Sequence, residues 1–257
     1  MAATRPRGSA GARRTARAVL AGTIAVATAA VLSGCAFLSP PERFSDDATL
    51  SDQVSTIEID EPGGSVTVRG VEGATGIELS RTVSYRGERT ERETHEVDGD
   101  VLVLSGCGRN CTVDYTIELP VGVDVRGSTS NGSIELTGVN AVEVSTNNGR
   151  VELDDVTGGI DAETSNGRIE GRDLAGTGVR ARTSNGAIDL LLSTPQDVDA
   201  RTSNGAIELA VPTDGAGYRV ATDTSNGSVD VEIAEDAAGE FLLDLATSNG
   251  AITVTGD

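Results

Sequence analysis

The stretch VRARTSNGAIDLLL, residues 179–192, is followed by VDARTSNGAIELAV, residues 198–211, and the likeness of the two decides the fold. Working outward from them, the tetrapeptide T-S-N-G begins at Thr129, Thr164, Thr183, Thr202, Thr224 and Thr247, with T-N-N-G at Thr146. The Asn-Gly pairs are Asn131 and Gly132, Asn148 and Gly149, Asn166 and Gly167, Asn185 and Gly186, Asn204 and Gly205, Asn226 and Gly227, and Asn249 and Gly250. Asparagine spacings of 17, 18, 19, 19, 22 and 23 residues mark one structural unit used again and again.

Six positions before each Asn stand Val125, Val142, Ile160, Val179, Val198, Val220 and Leu243; three positions after it come Ile134, Val151, Ile169, Ile188, Ile207, Val229 and Ile252. Both flanks alternate with period 2, as short strands with one buried face do. Buried offsets are even before the motif and odd after it, so one residue is spent turning a corner at Asn-Gly. Glycine takes positive φ there without steric cost and Asn tolerates it next best, so the corner glycines are expected at positive φ. Asn-Gly also marks tight hairpins, but flanks repeating in one direction at constant phase indicate parallel stacking rather than a meander. Stacking sets the Asn side chains about 4.8 Å apart, close enough for a ladder of amide hydrogen bonds. The predicted fold is an all-β, single-domain β-solenoid of about eight rungs with structural corners.

Four positions after each Asn lie Glu135, Glu152, Glu170, Asp189, Glu208 and Asp230, with Thr253 closing the series. They alternate with buried positions, point outward and predict a carboxylate stripe. Adjacent carboxylates at that spacing repel by about 0.9 kcal/mol in water, and Arg150 and Arg168 offset part of this. The stripe is a solvated face or a line of weak divalent-cation or cationic-partner sites.

Before the regular repeats, Ile57, Ile59, Gly63-Gly64, Val66 and Val68 align with Val125, Gly127, Asn131-Gly132, Ile134 and Leu136 as a degenerate first rung. Strand-like runs follow at 77–85, 101–104 and 112–119, with an exposed charged loop over 86–100. Cys107 and Cys111 read as a disulfide-pinned turn; a metal site with His95 is the alternative, and its ligand set is incomplete.

At the N-terminus, Arg5, Arg7, Arg13, Arg14 and Arg17 precede an uncharged run over 18–32. That is a signal-peptide layout over 1–34. Leu32-Ser33-Gly34-Cys35 resembles the lipobox of bacterial lipoproteins, in which the cysteine is acylated. Residues 35–55 are then a lipidated N-terminus and flexible tether, 56–122 an N-terminal β region, and 123–257 the regular solenoid. Acyl chains on Cys35 anchor the protein to the extracytoplasmic face of the cell membrane. Export through the general or the twin-arginine route is left open.

Removing the leader leaves 15 Arg against 40 Asp and Glu, a net charge of −25, which disfavours nucleic acid as a partner. Lysine is absent, excluding Schiff-base and amine-nucleophile chemistry. With no Trp, three Tyr and three Phe, the interior must be thin and built from Val, Ile, Leu and Ala. Sugar stacking has few platforms.

The early strands, the phrase Ile117-Glu118-Leu119-Pro120-Val121-Gly122 and the T-S-N-G-x-I corners resemble the bacterial putative-adhesin family of β-strand-repeat proteins of unknown function. The resemblance covers residues 55–257 and implies a surface β-solenoid; it brings no catalytic residues.

The single histidine, His95, lies in a charged loop without the oriented partners of a catalytic triad, and no cofactor motif is present. The sequence therefore reads as a non-catalytic binding or adhesion scaffold. A signalling or regulatory lipoprotein contacting a membrane partner and a carbohydrate-active β-helix enzyme are the alternatives. Because the chain stops soon after the seventh corner, the strands at 252–257 are expected to form an open edge that captures an envelope protein or a second copy.

Overall fold

In a computed structural model of the chain, residues 1–2, 40–61, 63–89 and 92–257 are described. The expected signal peptide from residue 3 onward, and the lipobox-like stretch ending at Cys35, lie outside the described residues. Contacts divide the chain at Pro41 and Glu42, and every strand described lies in 42–257.

Every regular element among the described residues is a β-strand. The N-terminal region holds β1 (Glu42–Leu50), β2 (Thr56–Glu61), β3 (Val66–Val71), β4 (Ile77–Tyr85), β5 (His95–Asp98), β6 (Val101–Ser105) and β7 (Cys111–Pro120). The repeats then supply β8 (Asp124–Thr129), β9 (Ile134–Val139), β10 (Val142–Thr146), β11 (Val151–Val156), β12 (Ile160–Thr164), β13 (Ile169–Leu174) and β14 (Val179–Thr183). They continue with β15 (Ile188–Leu192), β16 (Val198–Asn204), β17 (Ile207–Val211), β18 (Tyr218–Asn226), β19 (Val229–Val231), β20 (Phe241–Asn249) and β21 (Ile252–Gly256).

The strands form two mixed sheets. One runs β1-β4-β7-β3-β9-β11-β13-β15-β17-β21-β19 and the other β18-β20-β16-β14-β12-β10-β8-β2-β6-β5. Successive repeat strands alternate between the sheets, and each T-S-N-G is the passage from the second sheet to the first. Pairing is parallel and in register: Val142 lies beside Val125 and Ile160, Val151 beside Ile134 and Ile169. The degenerate first repeat joins the same stack, Ile57 against Val125 and Val66 against Ile134.

A one-residue slip would turn every apolar side chain outward, so the pattern fixes the register. Ile134, Val151, Ile169, Ile188, Ile207 and Ile252 are all fully buried, with Ala162, Ala181 and Ala200 filling the narrower places between the sheets. Tyr115 and Tyr218 are the largest buried side chains, one toward each end of the strand order.

Three expectations require correction. The tether ends earlier than 55: Glu42–Leu50 is β1, antiparallel to β4, because Phe44, Ala48 and Leu50 alternate well enough to line a sheet edge. The loop over 86–100 contains β5, antiparallel to β6. Most consequentially, the last strands are not at the edge. The chain passes over one place in the stack, lays down β18 and β19, and returns to set β20 between β16 and β18, and β21 between β17 and β19. The longer spacings around Asn226 and Asn249 supply the chain that this return consumes.

Candidate binding faces

The corners form a continuous ridge. Nδ2 of Asn148 donates to Oδ1 of Asn131 at 2.9 Å, Asn166 to Asn148 at 2.9 Å, Asn185 to Asn166 at 3.0 Å and Asn204 to Asn185 at 3.0 Å. Asn249 then donates to Asn204 at 3.0 Å and Asn226 to Asn249 at 3.1 Å, so the ladder follows the spatial order. The threonines turn inward. Thr146 Oγ1 donates to the Gly132 carbonyl at 3.0 Å, Thr164 to Gly149 and Thr183 to Gly167 at 2.9 Å, and Thr247 to Gly205 at 3.0 Å. These hydroxyls satisfy buried and half-buried carbonyls at the bend, where the sheet ladder is interrupted.

No corner glycine has positive φ, contrary to the expectation. Glycine is needed for close approach instead: a Cβ on Gly149 would lie 1.7 Å from the Gly132 carbonyl oxygen, and one on Gly186 1.9 Å from that of Gly167. The stacked corners touch backbone to backbone.

On the outer face of the first sheet, Glu135, Glu152, Glu170, Asp189 and Glu208 lie side by side on neighbouring strands. Asp230 is separated from them by Thr253, since β21 intervenes. Arg150 reaches Glu135 at 3.5 Å and Glu152 at 3.4 Å, and Arg168 reaches Glu170 at 3.0 Å. Asp189 and Glu208 have alanines, Ala187 and Ala206, where the arginines stand. A shallow groove of about 300 Å³ runs over Glu170, Asp189, Leu191, Glu208 and Thr253. Among the described residues no three His, Cys, Asp or Glu side chains converge on a metal position.

The second sheet carries a larger open groove, about 940 Å³, across Arg126, Glu143, Asp161, Arg180, Asp199 and Asp244. Charges of opposite sign meet from strand to strand there: Arg126 and Glu58 at 2.7 Å, Arg180 and Asp161 at 3.5 Å, Arg182 and Asp199 at 2.9 Å, Arg201 and Asp244 at 2.6 Å, with Arg201 also on Asp199. Exposed pairs of this kind contribute about 0–1 kcal/mol each; their regular placement gives the face its charge pattern. This face was legible at five and three positions before each Asn, where Arg126, Arg180, Arg182 and Arg201 alternate with acids, but the carboxylate row after the Asn is the more uniform signal.

At the N-terminal end, Arg81 grips Asp46 with two bonds of 2.5 and 2.8 Å and donates to Thr94 Oγ1 at 2.8 Å. The guanidinium holds the Asp46 carboxyl below its usual range. The Tyr115 hydroxyl faces the Thr94 and Ser105 carbonyls, and burial pushes it up to about 12. His95 is half-buried rather than solvated, and burial with the nearby Arg81 lowers its pKa. Cys107 and Cys111 form the expected disulfide, Cα to Cα 5.9 Å, across a turn in which Gly108 and Asn110 have positive φ.

Glu61 takes the place of the buried threonine in the first repeat, paired with Thr129. It is 1% exposed, and its Oε1 accepts from the Gly63 and Gly64 amides at 3.0 Å, while Oε2 has no partner. Burial raises its pKa.

No family model matches the chain, and no curated protein does. Solved structures described as adhesins are similar to it. A putative cell adhesion protein from Clostridium sporogenes is 12% identical, covers 84% of this chain and 100% of its own, and has a TM-score of 0.39. A putative adhesin from Bacteroides fragilis is 14% identical over 84% of this chain and 97% of its own, with a TM-score of 0.48. One from Parabacteroides merdae is 10% identical over 83% and 96%, with a TM-score of 0.46.

Proposed function

We propose that the chain is a lipid-anchored β-solenoid of about eight rungs, held at the extracytoplasmic face of the cell membrane, whose outer faces serve as a non-catalytic binding or adhesion scaffold. The observation that carries this reading is the in-register parallel pairing, which lines up the same offsets of successive repeats into long charged stripes on both faces. Stripes of that kind suit an extended partner rather than a small substrate enclosed in a pocket. Eight rungs at about 4.8 Å make a stack roughly 38 Å long. The basic start, the uncharged run over 18–32 and Leu32-Ser33-Gly34-Cys35 support the location, because acyl chains on the cysteine would anchor the chain. The carboxylate stripe, Glu135 to Glu208, is a place where weak divalent-cation binding would offset the like-charge repulsion.

The test is fractionation of cells expressing the full chain, with external protease added to intact cells. The wild type is expected in the membrane fraction and open to protease, and Cys35→Ser is expected in the soluble exported fraction. Retention of Cys35→Ser on the membrane contradicts the anchor. Conversion of a cell-wall glycan by the purified protein, lost on Glu170→Gln or Asp189→Asn, contradicts the non-catalytic reading.

A further inference from the structure

Because β20 and β21 are inserted into the stack, the exposed end is formed by β18 in one sheet and β19 in the other. Each pairs on one side only, with β20 and β21 respectively, apart from a single bridge between Tyr218 and Glu235 at the start of β18. From Arg219 to Asn226 the outer backbone edge is open.

The interior is open there too. Val229 is 44% exposed, whereas its counterparts Ile252 and Ile207 are fully buried. Thr222 is exposed where Leu245 and Ala200 are fully buried, and Val220 is half-buried beside a buried Leu243. An apolar row that is dry in the other repeats thus ends at solvent, which is the situation a terminal cap or an added strand relieves.

Charge indicates what fits. Within the second sheet, acids are met by arginines of adjoining repeats, as Asp199 is by Arg182 and Asp244 by Arg201. At the edge, Asp223 lies beside Ala246 and Asp230 beside Thr253 on the covered side. With Glu232 they are exposed and have no ion pair among the described residues. Arg219 is the one basic residue on the two strands, at the end of β18 away from the corner. A second copy would bring the same acids to its partner; a basic strand would neutralise them.

We propose that the β18–β19 edge takes up an extended segment of another protein, apolar at alternate positions with Lys or Arg between them, which adds to the sheets by main-chain pairing. This deepens the scaffold reading by giving the partner of one end of the stack a chemistry. It is tested on the purified chain, so that its outcome is independent of membrane anchoring.

The probes are two labelled peptides with the sequence of residues 241–256, one carrying Ala246→Lys and Thr253→Lys, the other Ala246→Glu and Thr253→Glu. In anisotropy titrations against the full chain, the lysine peptide should bind at least about tenfold more tightly than the glutamate peptide, and Asp223→Lys with Asp230→Lys should reverse the preference. Equal binding of the two peptides, or binding of neither, overturns the proposal. So does a chain that sediments as a dimer and becomes monomeric on Val229→Asp, which assigns the edge to a second copy.

Discussion

At Gly186 an added Cβ lies 1.9 Å from the Gly167 carbonyl oxygen, and because that oxygen belongs to the backbone of the neighbouring repeat, no rotamer change relieves the overlap. Gly186→Ala is therefore expected to cost about 3 kcal/mol or more, read as a shift of the urea midpoint. Ser184→Ala, on the exposed side of the same corner, should change stability by about 0.5 kcal/mol or less. Equal losses would contradict backbone contact at the corner. Thr183→Val keeps the shape but leaves the Gly167 carbonyl without its 2.9 Å donor, at an expected cost of about 1–3 kcal/mol. Glu61 gives a pH test. Its folded pKa is raised, so its contribution to stability is fully present below the unfolded value of about 4.3 and is lost as pH rises through the folded value. The stability of Glu61→Gln relative to the parent should thus increase from pH 4 toward neutrality. A difference that is flat with pH, or falls, contradicts the assignment. The sequence made the need for glycine legible but not its cause, because a demand for positive φ and a demand for close approach select the same residue.

At the scale of elements, β20 follows β18 in the chain yet lies inside it in the stack, paired on both sides where β18 is paired on one. In hydrogen exchange, amides of Leu243 to Thr247 should therefore exchange more slowly than those of Val220 to Thr224. Faster exchange in β20 would contradict the return of the chain. Strand positions were largely legible: the alternation around each Asn marks β8 to β17, and 77–85 coincides with β4. The order of the last two repeats was not, since Val220, Leu243 and Val198 share one offset, and Asn226, Asn249 and Asn204 another, so either order satisfies the pattern. Only the longer spacings of 22 and 23 residues hinted at extra connecting chain. β1 and β5 escaped notice because they are edge strands rich in exposed polar residues; the partner of β1 is also distant in sequence, while β5 is only four residues long and sits in a charged stretch.

For the molecule as a whole, the two ends differ. Antiparallel strands β4 and β1 continue one sheet beyond β7, and β5 continues the other beyond β6, while β18 and β19 close nothing. Residues 42–257 hold 15 Arg against 40 Asp and Glu, a net charge of −25, spread over faces in which arginines of one repeat meet acids of the next, and salt should weaken partner binding at such exposed sites. Composition made the thin, aromatic-poor interior and the acidic surface legible, whereas the charge pattern of the larger groove, written at five and three positions before each Asn, is less uniform than the carboxylate row after it and was passed over. The central claim is the parallel, in-register stack with its inverted final order. It is tested most directly by oxidising two double-cysteine variants of exposed corner serines. Ser203 and Ser248 lie between paired neighbours on adjoining strands, about 4.8 Å apart, whereas Ser203 and Ser225 are two strands apart, roughly 9.6 Å, beyond disulfide reach. The account predicts that Ser203→Cys with Ser248→Cys forms an intramolecular disulfide and Ser203→Cys with Ser225→Cys does not; the reverse result would contradict it.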